Sequence, residues 1–160
     1  MTNLIADKFF LPNLLKANLL DSMNDPSSEL THVVWHVDRL SEDNGLSHLI
    51  QAWNLDSPKP DESTPQDSEL IVRGWSLACS EASQAALHLV LRLRDRTLSF
   101  PMNKNRPDVV EQICKALPDG HPRLRCGFEQ SIPLAEAAHG FEVGFEADGL
   151  IRIAARTRVA

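Results

Sequence analysis

The sequence predicts an all-β protein: an immunoglobulin-like antiparallel β-sandwich of about seven strands, with one short inserted helix and an N-terminal helical appendage. Three observations carry this. Leu87, Leu89, Leu91 and Leu93 alternate with His88, Arg92 and Arg94, the period of two that a half-buried strand requires. Thr31 to Val37 is rich in the β-branched and aromatic side chains that suit a pleated surface, and Leu70 to Ala78 is strand-like as well. No strand-helix-strand alternation of the kind that builds a parallel sheet is found. A chain of 160 residues has room for one such sandwich, over 31–160, behind an N-terminal segment 1–30.

Taken in order, Leu4, Ile5, Phe9, Leu11, Leu15 and Leu19, with Leu14, Leu20 and Met23, form an apolar stripe at helical spacing and predict a helix over 4–23. Pro12 kinks it or starts a second helix, and Asn24-Asp25-Pro26 ends it. So apolar a face must be covered, either by the main domain or by another chain. Phe9, Leu15 and Leu19 are the candidate partner-binding residues, and a homodimer is one form such docking takes. Pro12, Asn13, Lys16 and Asn18 interrupt the stretch, so it reads as neither signal peptide nor membrane span.

The first sandwich strand ends at Asp38. Leu46, Leu49, Ile50 and Trp53 lie three and four apart, which allows a short helix in a loop-like insertion. Residues 56–68 hold three prolines and four acids with no large apolar side chain, and predict a mobile acidic loop. The run 86–94 and Thr97-Leu98-Ser99-Phe100 form a hairpin through Arg94-Asp95-Arg96. Asp108 to Leu117 has helical periodicity, opened by Pro107 and stopped by Pro118-Asp119-Gly120. Strands follow over 123–134, 141–146 and 150–159, the last two joined by Ala147-Asp148-Gly149, a strong hairpin signal.

Charge is unevenly spread. The net −6 divides into 4 basic against 11 acidic residues over 1–68, a balance of −7, and 12 against 11 over 69–160, a balance of +1. Net acidity argues against a protein built to grip nucleic-acid phosphates. Cys79, Cys114 and Cys126 are an odd set without a CxxC pair, as free thiols in a cytoplasmic protein are.

No GxGxxG, P-loop or GxSxG is present, and the acids cluster where their spacing is not controlled, so no catalytic residue and no cofactor is expected. His32, His36 and Asp38 share one face of a strand and supply a weak metal-ligating set; the alternative is solvated strand residues around Val33, Trp35 and Val37. Trp35 and Trp75 belong in the core, whereas Trp53 beside Asn54 and Asp56 has the neighbours of an indole that stacks on a sugar ring. Arg92, Arg94 and Arg96 form one basic stripe and Arg152, Arg156 and Arg158 another. Each is either a solvated face or a groove for anionic sugars or phosphates, which arginine forks hold well. Arg106 and Asp108 either pair locally and pin a helix to the sheet or touch a ligand directly.

Four short motifs occur in a fixed order: His36-Val37-Asp38, Gly74-Trp75, Arg106-Pro107-Asp108-Val109 and Gly127-Phe128. In this order the chain resembles, over about residues 32–158, a β-sandwich accessory domain of bacterial glycosyltransferases and associated methyltransferases that build surface polysaccharide. The resemblance implies a non-catalytic module that recognises carbohydrate or positions an enzyme of glycan assembly. Trp53, Arg92, Arg94, Arg106 and Asp108 are then the candidate ligand-binding residues. About 35 residues separate the first two motifs, more than the family usually has. The alternatives are an interaction or assembly module acting through its N-terminal segment, and a small metal protein using His32, His36 and Asp38.

Overall fold

A computed structural model describes residues 2–7, 9–10, 32–40, 45–65 and 67–160. The chain divides into two compact units, residues 1–33 with 65–67, and residues 34–64 with 68–160. In the first, β1 (Thr2–Asp7) and β2 (Phe9–Phe10) pair antiparallel. The helix expected from residue 4 is therefore corrected over its first turns, since these residues are extended. Ile5, Phe9 and Phe10 favour strand over helix. Leu15 and Leu19 lie outside the described residues.

The remaining elements are β3 (His32–Arg39), α1 (Leu46–Leu49), β4 (Ile50–Ser57), β5 (Ser63–Pro65), β6 (Glu69–Ala78), α2 (Glu81–Gln84), β7 (His88–Arg92), β8 (Thr97–Pro101), α3 (Pro107–Val109), β9 (Gly127–Pro133), α4 (Leu134–Ala137), β10 (Phe141–Ala147) and β11 (Leu150–Val159). They form an all-β, sandwich-like fold with a six-stranded sheet, in the order β5-β3-β11-β10-β7-β8, and a three-stranded sheet, β4-β6-β9. The expected hairpins are present. Leu93 N–H donates to the Arg96 carbonyl at 2.8 Å, and Asp148 and Gly149 both take positive φ (55° and 78°), as a two-residue primed turn requires.

Aromatic side chains join the sheets. Phe145 of β10 meets Trp53 of β4 (centroids 6.1 Å apart) and Phe128 of β9 (6.0 Å). Phe128 and Phe145 are fully buried, and each contributes about 2–3 kcal/mol by leaving water. Trp35 of β3 packs edge-on against Phe141 (5.9 Å, 76°), and its indole N–H donates to Thr64 Oγ1 at 3.0 Å. Buried Gln84 completes the end of β6: its Oε1 accepts from Ala78 N–H at 2.8 Å and its Nε2 donates to the Ser76 carbonyl at 3.1 Å.

Four further expectations are corrected. The insertion around Trp53 is a strand, because only Leu46 and Leu49 fit the helical register and Ile50 onward pairs with β6. Within the acidic segment, Asp56 and Ser57 end β4 and Ser63–Pro65 form β5, so its residues 56–65 are folded onto the sheet. Glu62 accepts from Lys59 N–H at 2.6 Å, Trp35 N–H donates to the Glu62 carbonyl, and Ser57 and Thr64 are buried. The helix from Pro107 widens into a π-helical turn over Val110–Cys114 and stops at Lys115, at φ 56°, leaving Leu117 85% exposed. Among the described residues nine strands follow residue 31 where about seven were expected, since β4 and β5 arise in the segment read as loop. Among the described residues no helix is long and apolar enough to cross a membrane.

Candidate functional site

The outer face of the six-stranded sheet carries the candidate site. Along β7, β10 and β11 the residues opposite one another are Arg92, Glu142 and Arg156, with Asp38 of β3 next in the row. Glu142 accepts from both neighbours, from Arg156 Nε at 2.7 Å and from Arg92 Nη1 at 3.4 Å. One row further on, Arg158 faces His36, with its Nε 3.8 Å from Asp38. Arg94, just past β7, lies 3.3 Å from His139 Nδ1.

Between these side chains runs a shallow groove of about 420 Å3 whose lining includes Arg92, Arg94, His139, Glu142, Arg156 and Arg158. Gly140 also lines it, at φ 91°. A smaller hollow adjoins it, sharing Leu93, Arg94 and His139 and bounded by Arg96, which pairs with Glu136 at 2.8 Å. Four guanidinium groups thus face two carboxylates, Glu142 and Asp38. Exposed ion pairs of this kind contribute at most about 1 kcal/mol each to stability. Their excess of positive charge instead attracts anions.

The two arginine stripes do not survive as drawn from the sequence. A bulge in β11 places Val143 opposite Ala155 but Gly144 opposite Ile153, so the strand's faces exchange at Ala154. Arg152 falls opposite core Phe145, while Arg156 and Arg158 join Arg92 and Arg94 on the outer face.

Arg106 and Asp108 lie elsewhere, on the outer face of the three-stranded sheet. Trp75 and Gly127 stand opposite one another there, while Gly74 and Phe128, the next pair in the register, face the core between the sheets. Trp75, expected in the core, is half-buried and packs against Leu77, Val109 and Cys126. Gly127 leaves the space that the Arg106 side chain fills, since a Cβ there would lie 2.7 Å from Arg106 Cγ. Arg106 forks onto Asp108 (2.9 and 2.8 Å) and its Nη1 donates to Asp56 Oδ2 at 3.0 Å. The Asp108 hydrogen bond raises the Arg106 pKa, and Arg106 in turn holds the Asp108 carboxyl below the usual range. Asp56 also accepts from Asn54 Nδ2 at 2.6 Å. Three of the five guanidinium N–H groups are taken by the chain's own carboxylates, so this cluster pins α3 to the sheet. The pairing of Arg106 with Asp108 was legible from their spacing; Asp56, 50 residues away, was not.

Trp53 is no exposed stacking platform: Phe145 packs on it, and the Arg39 guanidinium lies 3.7 Å from its ring centroid. His32, His36 and Asp38 are exposed on β3. Among the described residues no three His, Cys, Asp or Glu side chains gather to hold a metal. The three cysteines are free thiols, and burial pushes that of Cys126 up to about 11. Of the groove residues, His139, Gly140 and Glu142 were missed. The alternation of Glu142, Gly144 and Glu146 against Phe141, Val143 and Phe145 is the signal that sets their face. Comparison with family models, curated proteins and solved structures finds no match.

Proposed function

We propose that this chain is a non-catalytic recognition module that binds an acidic saccharide in the arginine-lined groove of its six-stranded sheet. The observation that carries the reading is the gathering of Arg92, Arg94, Arg156 and Arg158 around one groove, with Glu142 and Asp38 the carboxylates that pair with them among the described residues. Arginine forks recognise carboxylates and phosphates, and an open, shallow groove suits a chain laid across it better than a small molecule needing enclosure. The order of the four motifs supports a saccharide as the bearer of the anionic groups. The near pair of carboxylates, Asp56 and Asp108, is tied to Arg106, which supports a binding role over an acid-base one.

Calorimetric titration with a uronic acid oligosaccharide and with its carboxyl-reduced, neutral counterpart tests this. Binding of the acidic form alone is expected, with at least about a tenfold loss in the Arg94→Gln, Arg158→Gln variant, each lost charged hydrogen bond costing about 1.5 kcal/mol or more. Equal binding of the neutral form, or no binding at millimolar concentration by a folded protein, overturns it.

A further inference from the structure

We infer that a second pocket, around Arg39 and Trp53, is a separate subsite for a small ring that carries a carboxylate. The pocket, of about 320 Å3, opens where the end of β3, α1 and the start of β4 meet, and its lining includes Arg39, Leu46, Ser47, Ile50, Gln51 and Trp53. Its volume matches a single ring of monosaccharide size at the low end of small-molecule sites.

The chemistry of its walls selects the ligand. Trp53 is fixed by Phe145, and the Arg39 guanidinium lies over its ring at 3.7 Å. Arg39 therefore keeps its place by cation-π attraction, and among the described residues no carboxylate lies within ion-pair distance of it. A guanidinium held on an indole keeps its in-plane N–H fork available for a carboxylate. Gln51 Oε1 accepts from Arg123 Nη1 at 2.8 Å, which leaves its amide nitrogen as a donor, and Ser47 adds a hydroxyl. Leu46 and Ile50 supply an apolar ledge for the body of a ring. The pocket thus offers donors and a cation beside an apolar surface, which is complementary to a sugar acid and not to a neutral hydrocarbon or a cation.

This inference does not depend on the groove, which lies on the outer face of the sheet and has no tryptophan in its lining. The test uses the full chain carrying Arg94→Gln and Arg158→Gln, so that groove binding is weakened, and follows tryptophan fluorescence during titration with glucuronate and with glucose. Glucuronate is expected to change the emission saturably and glucose is not. Arg39→Gln is expected to weaken glucuronate by tenfold or more, Arg39→Lys by less, because it keeps the charge and loses the fork. Circular dichroism confirms that each variant is folded. No saturable change with glucuronate, an equal response to glucose, or undiminished affinity in folded Arg39→Gln overturns the inference. The groove reading stands or falls by its own oligosaccharide titration.

Discussion

Replacing Gly74 by alanine tests whether the Gly-Trp motif is structural. Gly74 lies in the central strand of the three-stranded sheet, opposite Leu55 on one side and Phe128 on the other. A Cβ there would run into the Asn54 carbonyl oxygen and lie 2.7 Å from Phe128 Cζ, where carbon atoms rest about 3.5–4.0 Å apart. The carbonyl belongs to a paired backbone and the ring is fully buried beside Phe145, so neither yields without moving a strand or the core. Overpacking of this kind costs about 3 kcal/mol. Gly120, with φ at 70° and no atom within 4 Å of its added Cβ, isolates the backbone strain alone, about 1 kcal/mol. With a urea slope of about 2 kcal/mol per molar, Gly74→Ala lowers the unfolding midpoint by about 1.5 M and Gly120→Ala by about 0.5 M. Fluorescence and far-ultraviolet circular dichroism should give coincident curves. A Gly74→Ala midpoint equal to or above that of Gly120→Ala would refute the close approach of β4, β6 and Phe128.

Three further outcomes are expected. Thr64→Val strands the buried Trp35 indole N–H and lowers stability by about 1–3 kcal/mol in urea denaturation, whereas a change below about 0.5 kcal/mol contradicts the hydrogen bond. Asp108→Asn loses at most about 1 kcal/mol at pH 7, because the Asp108 side chain is half exposed. Since Arg106 depresses the folded pKa of Asp108, its stabilisation is complete above the ordinary value of 3.8 and disappears as pH falls through the folded one, so variant and wild type converge in acid. Thiol labelling at pH 8 should modify exposed Cys79 quickly and Cys126, buried and pushed up to about 11, only after unfolding; fast labelling of Cys126 in the native protein would contradict its burial.

The fold class was legible because hydrophobic alternation is a local signal. Leu89 and Leu91 are buried and Arg92 is exposed, as period two demands, although Val90 between the leucines is buried as well, and Ala147-Asp148-Gly149 turns where its backbone preferences say. The elements that were missed depend on distant partners. Asp56 to Pro65 has the composition of a loop, yet Thr64 caps the Trp35 indole and the Glu62 carbonyl accepts from Trp35 N–H, contacts that no window of sequence contains. Ile5 and Phe9 fit a helical stripe in projection and a strand in propensity, and the backbone of β1 and β2 follows the second. Trp53 illustrates the same limit at a site: Asn54 and Asp56 suggested a polar surround, but both lie on the opposite face of β4, turned toward Arg106, while Trp53 faces Phe145 and Arg39.

The groove could not be read from composition because charge in this protein is sorted by strand face. A chain of net charge −6 still gathers four arginines on one strand face, because some of its acids are paired elsewhere. Asp56 is held by Arg106, and Glu62 turns inward to Lys59 N–H and Ser57. The bulge at Ala154 is the deciding feature. Without it, Arg152, Arg156 and Arg158 would share one face with Arg152 beyond Glu142's row; with it, Arg152 is withdrawn to the face of Phe145, and the outer face keeps only the two arginines that stand across β10 from Arg92 and Arg94. One extra residue in one strand thereby converts a stripe along β11 into two arginine pairs on either side of a groove.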